Sequence, residues 1–166
     1  MKRLVKSVGR SFFNDAPTSR AIVVERYAID RTRKFWLLDL IPFGAVRMTR
    51  SDLWKTNPHH ADPRKRQRPQ VAKYFEFRNK IAIEAKRVGF ELGKTLEAVY
   101  FVPMPNNWSN KKKEEMVGMP CLSTPDTDNI TKAIKDALLK NDSHVWWEKA
   151  EKRWAYTGAI LIYATE

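Results

Sequence analysis

The sequence predicts an α+β fold in which two main helices pack on a mixed β-sheet within a single domain. The order of apolar patterns along the chain is strand, helix, strand, helix, strand, strand, which favours helices packed on one sheet. The length of 166 residues suits one domain. A hydrophobic content of 43% allows that domain to bury a core.

Four strands are predicted from runs of apolar, β-branched and aromatic residues, at 35–41, 96–102, 145–154 and 159–163. The first run is almost continuously apolar, which is typical of a strand in the centre of a sheet. The last two strands are joined by a turn that contains Gly158. We therefore expect these strands to form one mixed sheet.

The first main helix is predicted over residues 71–88, where apolar residues recur at helical spacing and Gly89 follows as a C-cap. A short helix is expected to begin at Ser109 or Asn110. The segment 1–33 is basic and mixed in composition, and a short strand is possible at 22–24. We expect this segment to be an N-terminal extension and residues 34–166 to form the domain.

The charge of the chain indicates its partner. It carries 31 Lys and Arg against 19 Asp and Glu, a formal net charge of +12, and the commonest partner of such a surplus is a nucleic-acid backbone. No apolar run approaches the ~20 residues of a membrane span, and the N-terminus lacks the apolar region of a secretory signal. Cys121 is the only cysteine, which excludes an internal disulfide and a cysteine-rich zinc site and fits a reducing cytoplasm.

Two basic segments, 47–68 and 106–124, are candidates for contact with phosphate. Prolines interrupt the first, so we expect a long exposed loop, and its adjacent His59 and His60 point apart and are not expected to bind metal. The second places a lysine triplet beside a tryptophan, which suits a DNA backbone or an unstacked base. Ordinary solvated surface is the alternative for both segments. The candidate DNA-binding residues are Arg64, Lys65, Arg66, Arg68, Trp108, Lys111, Lys112 and Lys113.

A pair of acids precedes the second main helix, whose buried stripe is predicted from Ile130 onward. In an extended lead-in, Asp126 and Asp128 point to the same side, and Lys132 follows one helical turn later. Hard oxygen ligands of this kind are those that Mg²⁺ prefers, so a metal site for phosphodiester chemistry is one interpretation. The other is structural: Asp128 is an N-cap that satisfies backbone amides, and Lys132 is its ion-pair partner.

The same segment resembles the signature of the RusA family of Holliday junction resolvases. That signature is a PDxDN sequence, then a helix with a lysine and a DAL sequence. Further similarity lies in the loop before the lysine triplet, which is similar to that of phage members, in a segment similar to the family's DDxQV, and in Lys152, where the family often has a basic residue. The matching segments are Pro125-Asp126-Thr127-Asp128-Asn129, Lys132, Asp136-Ala137-Leu138, Met104-Pro105-Asn106-Asn107-Trp108-Ser109 and Asn141-Asp142-Ser143-His144-Val145.

The resemblance spans about residues 34–163 and implies a RusA-like domain with Mg²⁺-dependent endonuclease activity on four-way DNA junctions in the bacterial cytoplasm. It implies that Asp126, Asp128 and Asp142 bind the metal, for which Mn²⁺ could substitute, and that Lys132 is essential. The link to the DDxQV-like segment is shortened and Asn141 replaces its first acid, so Glu148 is an alternative third acid.

The resemblance also implies a homodimer that makes paired symmetric nicks. Trp146, Trp147, Trp154 and the strand 159–163 offer apolar material for a dimer contact, although burial in the core is the competing explanation for any single tryptophan. A second class of function remains open, namely a non-catalytic basic DNA-binding protein whose acids are helix caps. Mg²⁺-dependent nicking of a four-way junction would distinguish the two classes.

Overall fold

The computed structural model of the protein describes Asp30, residues 32–52 and residues 68–165. Within these ranges the elements are β1 (Phe35–Leu38), α1 (Pro69–Val88), β2 (Thr95–Pro103), α2 (Asn110–Met116), α3 (Thr127–Leu138), a 3₁₀ helix (Asp142–His144), β3 (Trp147–Ala155) and β4 (Ala159–Tyr163). This arrangement confirms the predicted α+β fold. The strand suggested at 22–24 and the histidines at 59 and 60 lie outside the described residues.

The four strands form one mixed sheet in the order β1-β4-β2-β3. The β2–β3 pair is parallel, whereas β4 pairs antiparallel with both β1 and β2. The prediction that the first strand is central was wrong, because β1 lies at an edge of the described sheet and ends at Leu38. Its apolar character has another cause: Trp36 and Leu38 pack into the core under the helices, while Phe35 and Leu37 pack into a second cluster.

The helix α1 begins with Pro69 in its first turn and ends at Gly89, whose φ of 68° is the left-handed conformation that glycine adopts without strain. The predicted C-cap is therefore confirmed. The buried face of α1 packs against α3 and the sheet. It consists of Val71, Tyr74, Phe77, Ile81 and Ala85.

The helix α3 carries its predicted apolar stripe into the same core, with Ile130, Ala133 and Ile134 fully buried. It begins at Thr127, which is earlier than the predicted change from extended to helical pattern at Asn129. Asp128 therefore lies inside the first turn of α3. The argument that Asp126 and Asp128 share a side through strand alternation was wrong for this reason.

Trp154 and all of β4 are buried within the single chain. Trp154 belongs to a small cluster with Val102, Met104 and Cys121 at one end of the sheet. Core burial thus accounts for Trp154 and β4, two of the features considered for a dimer contact. Of the three tryptophans considered, only Trp146 and Trp147 are exposed. None of the helices in the described ranges combines the length and apolar character needed to span a membrane.

Candidate active site

The two acids at the start of α3 are exposed to solvent. Asp126 occupies the N-cap position in an extended conformation (φ −69°, ψ 151°), yet its side chain makes no cap hydrogen bond. Asp128 lies in the first turn, so the interpretation of Asp128 as the N-cap was wrong. Among the described residues, neither carboxylate has a hydrogen-bond or ion-pair partner. Two carboxylates without structural partners in this part of the chain are available to bind a cation.

Lys132 joins α3 to the 3₁₀ helix that follows it. Its Nζ atom lies 3.4 Å from Asp136 Oδ1 and 3.4 Å from Asp142 Oδ2. The expected ion pair with Asp128 is not among the contacts of the described residues. The pKa of Lys132 is raised, chiefly by the negative charge of Asp136. The structure therefore brings together Lys132 and Asp142, both of which the resemblance assigns to the active site, and keeps the lysine positively charged.

Glu148, the alternative third acid, has a different partner. Its Oε2 atom accepts a hydrogen bond of 2.8 Å from Lys135 Nζ, which connects β3 to α3. Asp142, and not Glu148, thus lies beside Lys132. Which of the two acts as the third acid stays a prediction that mutation can test.

A tyrosine on the buried face of α1 supports this cluster. Tyr74 of α1 donates a hydrogen bond of 2.6 Å to Asp136 Oδ2, and Arg78 donates to the backbone carbonyl of the same aspartate. Burial raises the pKa of Tyr74, so its hydroxyl remains a donor. The helical spacing places Tyr74 on the buried face of α1, but no local signal reveals that its hydroxyl reaches a group on α3.

The basic loop is described only at its ends, and Arg64, Lys65 and Arg66 lie outside the described residues. Arg68 is engaged with Asp52, which is only 1% exposed: the Nη2–Oδ2 distance is 2.5 Å and Nε donates to Oδ1 at 3.0 Å. Thr49 adds two hydrogen bonds to the same carboxylate, and the pKa of Asp52 is well below its usual range, chiefly because of the Arg68 hydrogen bond. Arg68 thus has a structural partner that the sequence analysis missed.

Trp108 is half-buried rather than freely presented. Its ring packs against Trp154 with a centroid distance of 5.1 Å, and Lys112 Nζ lies 4.2 Å from the ring centroid. The predicted short helix is α2, which begins at Asn110. Ser109 is its N-cap and accepts a hydrogen bond from the backbone N–H of Lys112. Lys111 and Lys112 are exposed on α2, where they are able to meet a phosphate backbone.

The donor chemistry of the two acids suits Mg²⁺. No group of three or more His, Cys, Asp or Glu side chains in the described ranges is arranged to hold a metal ion. Mg²⁺ is usually bound through one or two protein carboxylates, with water and phosphate oxygens as the other ligands. Asp126 and Asp128 each offer an exposed carboxylate at the start of α3, while Asp142 contacts Lys132.

A mixed sheet carrying an acid-bearing helix and a lysine–aspartate pair is consistent with an enzyme that acts on phosphodiesters. The family model of the endodeoxyribonuclease RusA matches residues 48–163, which include every element from α1 to β4. This chain belongs to the RusA family of endodeoxyribonucleases, as the resemblance of the α3 segment predicted. No curated protein matches the sequence significantly.

Proposed function

We propose that this protein is a Mg²⁺-dependent endodeoxyribonuclease that resolves four-way DNA junctions by paired symmetric nicks. The observation that carries the proposal is the pair of exposed carboxylates of Asp126 and Asp128, without partners among the described residues, at the start of a helix that also carries Lys132, in a chain of the RusA family. Helix capping alone does not account for this pair, because the Asp126 side chain makes no cap hydrogen bond. The missing cap hydrogen bond of Asp126 supports the proposal over the alternative in which both acids are helix caps.

Asp126 and Asp128 would hold the metal, and Asp142, which contacts Lys132, would be the third acid of the site. A bound Mg²⁺ would supply an activated water and neutralise charge on the phosphate. Lys132 is held between two carboxylates at 3.4 Å each, so its ammonium has a defined position from which to contact the scissile phosphate. Asp136 contacts Lys132 and accepts a hydrogen bond from Tyr74 of α1, so it holds the lysine in place.

The DNA would be bound mainly through its backbone. The net charge of +12 attracts any polyanion, and Lys111 and Lys112 add exposed positive charge on α2. Arg68 is less suited to this role than the sequence suggested, because buried Asp52 already occupies its guanidinium group. A polyanion would reach the exposed lysines without breaking a buried ion pair.

A monomer would have to dissociate or reorient between two nicks in opposed strands of a two-fold symmetric junction, whereas a C₂ homodimer places two active sites on the two strands at once. Trp146 is 74% exposed and Trp147 is 38% exposed, and both lie where the 3₁₀ helix leads into β3. These rings are apolar surface that a second copy could cover. Sedimentation at micromolar protein without DNA tests this part: a species of twice the 19.4 kDa chain mass is expected, and a monomer that still makes paired nicks would contradict it.

The activity is tested on a synthetic four-way junction, with linear duplex as the substrate control. We expect Mg²⁺-dependent nicking of the junction alone by the wild-type protein. Asp128→Asn should abolish nicking and leave junction affinity intact, because it removes a ligand and no positive charge. Glu76→Gln is the matched control, since Glu76 is exposed on α1 and pairs with Lys80. Retention of more than about a tenth of wild-type nicking by Asp128→Asn would contradict the metal assignment.

A further inference from the structure

A lysine from the sheet holds the backbone that leads into the acid-bearing helix. Lys152 of β3 donates hydrogen bonds from Nζ to the carbonyl oxygens of Ser123 at 2.5 Å and Pro125 at 2.6 Å. Both carbonyls belong to the segment that directly precedes Asp126. Hydrogen bonds from a charged donor are stronger than neutral ones, so a single side chain fixes two points of this segment.

A second segment, which contains Gly44, packs closely against the start of α3. A Cβ atom on Gly44 would lie 2.8 Å from Pro125 Cβ and 3.2 Å from Asn129 Cβ, which is closer than real contacts allow at the proline. The next residue, Ala45, donates its backbone N–H to the Asn129 carbonyl at 2.8 Å. Glycine is needed at position 44 because only hydrogen fits between these two segments.

The contacts of Lys152 and Gly44 hold the backbone of this segment. The Asp126 side chain has no hydrogen bond or ion pair of its own among the described residues. The position of its carboxylate is then set by the main chain on either side of it. We propose that Lys152 and Gly44 are positioning residues that hold the start of α3 in the conformation that binds a divalent cation. The inference rests on the proposed function, since it assigns no ligand beyond Asp126 and Asp128.

Charge repulsion and positioning predict opposite changes in metal affinity when Lys152 is replaced. The Lys152 ammonium contacts the carbonyl of Pro125, the residue before Asp126, and its positive charge repels a divalent cation bound nearby, so its removal by itself should tighten metal binding. If Lys152 orders the segment before Asp126, its removal should instead weaken metal binding. Loss of groups that orient metal ligands costs about 10–100-fold in metal affinity. The sign of the change therefore separates a positioning residue from a nearby charge.

The experiment is calorimetric titration of the full chain with Mn²⁺ and no DNA, using the wild type, Asp126→Asn, Lys152→Met, Gly44→Ala and Lys149→Met. Lys149 is the matched control, because it lies on the same strand, has the same charge and pairs with Glu97 at 3.1 Å on the other face of the sheet. We expect Lys152→Met and Gly44→Ala each to weaken Mn²⁺ binding about tenfold or more, and Lys149→Met to leave it unchanged. Urea unfolding of each variant shows that the titrated protein is folded, and if Gly44→Ala does not fold, Lys152→Met decides alone.

Equal or tighter Mn²⁺ binding by Lys152→Met would overturn the inference and leave the metal site intact. Equal weakening by Lys149→Met would overturn the inference too, because loss of any lysine from β3 would then weaken Mn²⁺ binding, whether or not it contacts the segment before Asp126. If Asp126→Asn binds Mn²⁺ as tightly as the wild type does, the proposed metal site is refuted, and the inference falls with it. The Asp126→Asn titration thus distinguishes the two failures.

Discussion

A buried chain of hydroxyl groups joins β2 to the first turn of α3, and its contribution to stability can be predicted from hydrogen-bond counting. Tyr100 and Thr131 are 0% and 2% exposed, and their oxygen atoms are 2.7 Å apart. Thr131 Oγ1 donates to the Thr127 carbonyl at 2.9 Å, which uses its only hydrogen. Tyr100 must therefore be the donor to Thr131. The chain of hydroxyl groups ends at the residue between the two candidate metal ligands.

Thr131→Val and Tyr100→Phe should differ in cost although each removes one hydroxyl. Thr131→Val keeps the side-chain shape but leaves the Tyr100 hydroxyl buried without an acceptor, which costs about 1–3 kcal/mol. Tyr100→Phe leaves Thr131 bonded to its carbonyl, so only a satisfied hydrogen bond is removed, at about 0.5–1.5 kcal/mol. The double variant contains no buried hydroxyl donor that lacks an acceptor. Its cost should therefore be less than the sum of the single costs by about 1 kcal/mol.

Urea unfolding of the wild type and the three variants measures these free energies, provided that each transition is single and the slopes agree. A cost of about 2 kcal/mol for Thr131→Val is well resolved by this method. The reasoning would be refuted if Tyr100→Phe cost as much as Thr131→Val. Additive costs in the double variant would also refute it, because they would show that no donor is stranded.

Three further predictions concern the acids and the charges. Asp142→Asn should abolish junction nicking while Glu148→Gln retains it, because only the former acid contacts Lys132 of α3; the reverse result would move the third acid. Alanine at 111–113 should lower the salt dependence of junction binding by about 0.9 in log–log slope for each phosphate that the protein no longer neutralises, and an unchanged slope would show that these lysines are solvated surface. The pKa of Glu97 lies below its ordinary value of 4.5, chiefly because of the Arg33 hydrogen bond, so its contribution to stability is present above that pH and disappears as the pH falls through the lowered pKa. Urea unfolding should accordingly show Glu97→Gln to be destabilised at neutral pH by a margin that shrinks in acid, and a margin that is constant with pH would contradict this.

The sequence by itself determined the elements whose signals are local. The strand predicted at 159–163 matches β4 residue for residue, and Gly89 ends α1 as its position predicts. The apolar stripe of α3 is buried because helical periodicity sets which side chains share a face. The acid motif also identified the family, since its spacing lies within one short segment.

Only the tertiary structure decided which groups meet across the fold. The apolar run of β1 did not reveal its edge position, because strand order depends on pairing with β4 at the far end of the chain. Lys132 contacts Asp142 and Asp136, because the 3₁₀ helix folds back beside α3. Lys152 and Gly44 reach the start of α3 from distant positions in sequence, and Arg68 finds Asp52 in the same way. Periodicity shows which face of an element is buried, but the partner of a polar side chain is fixed only when the elements pack.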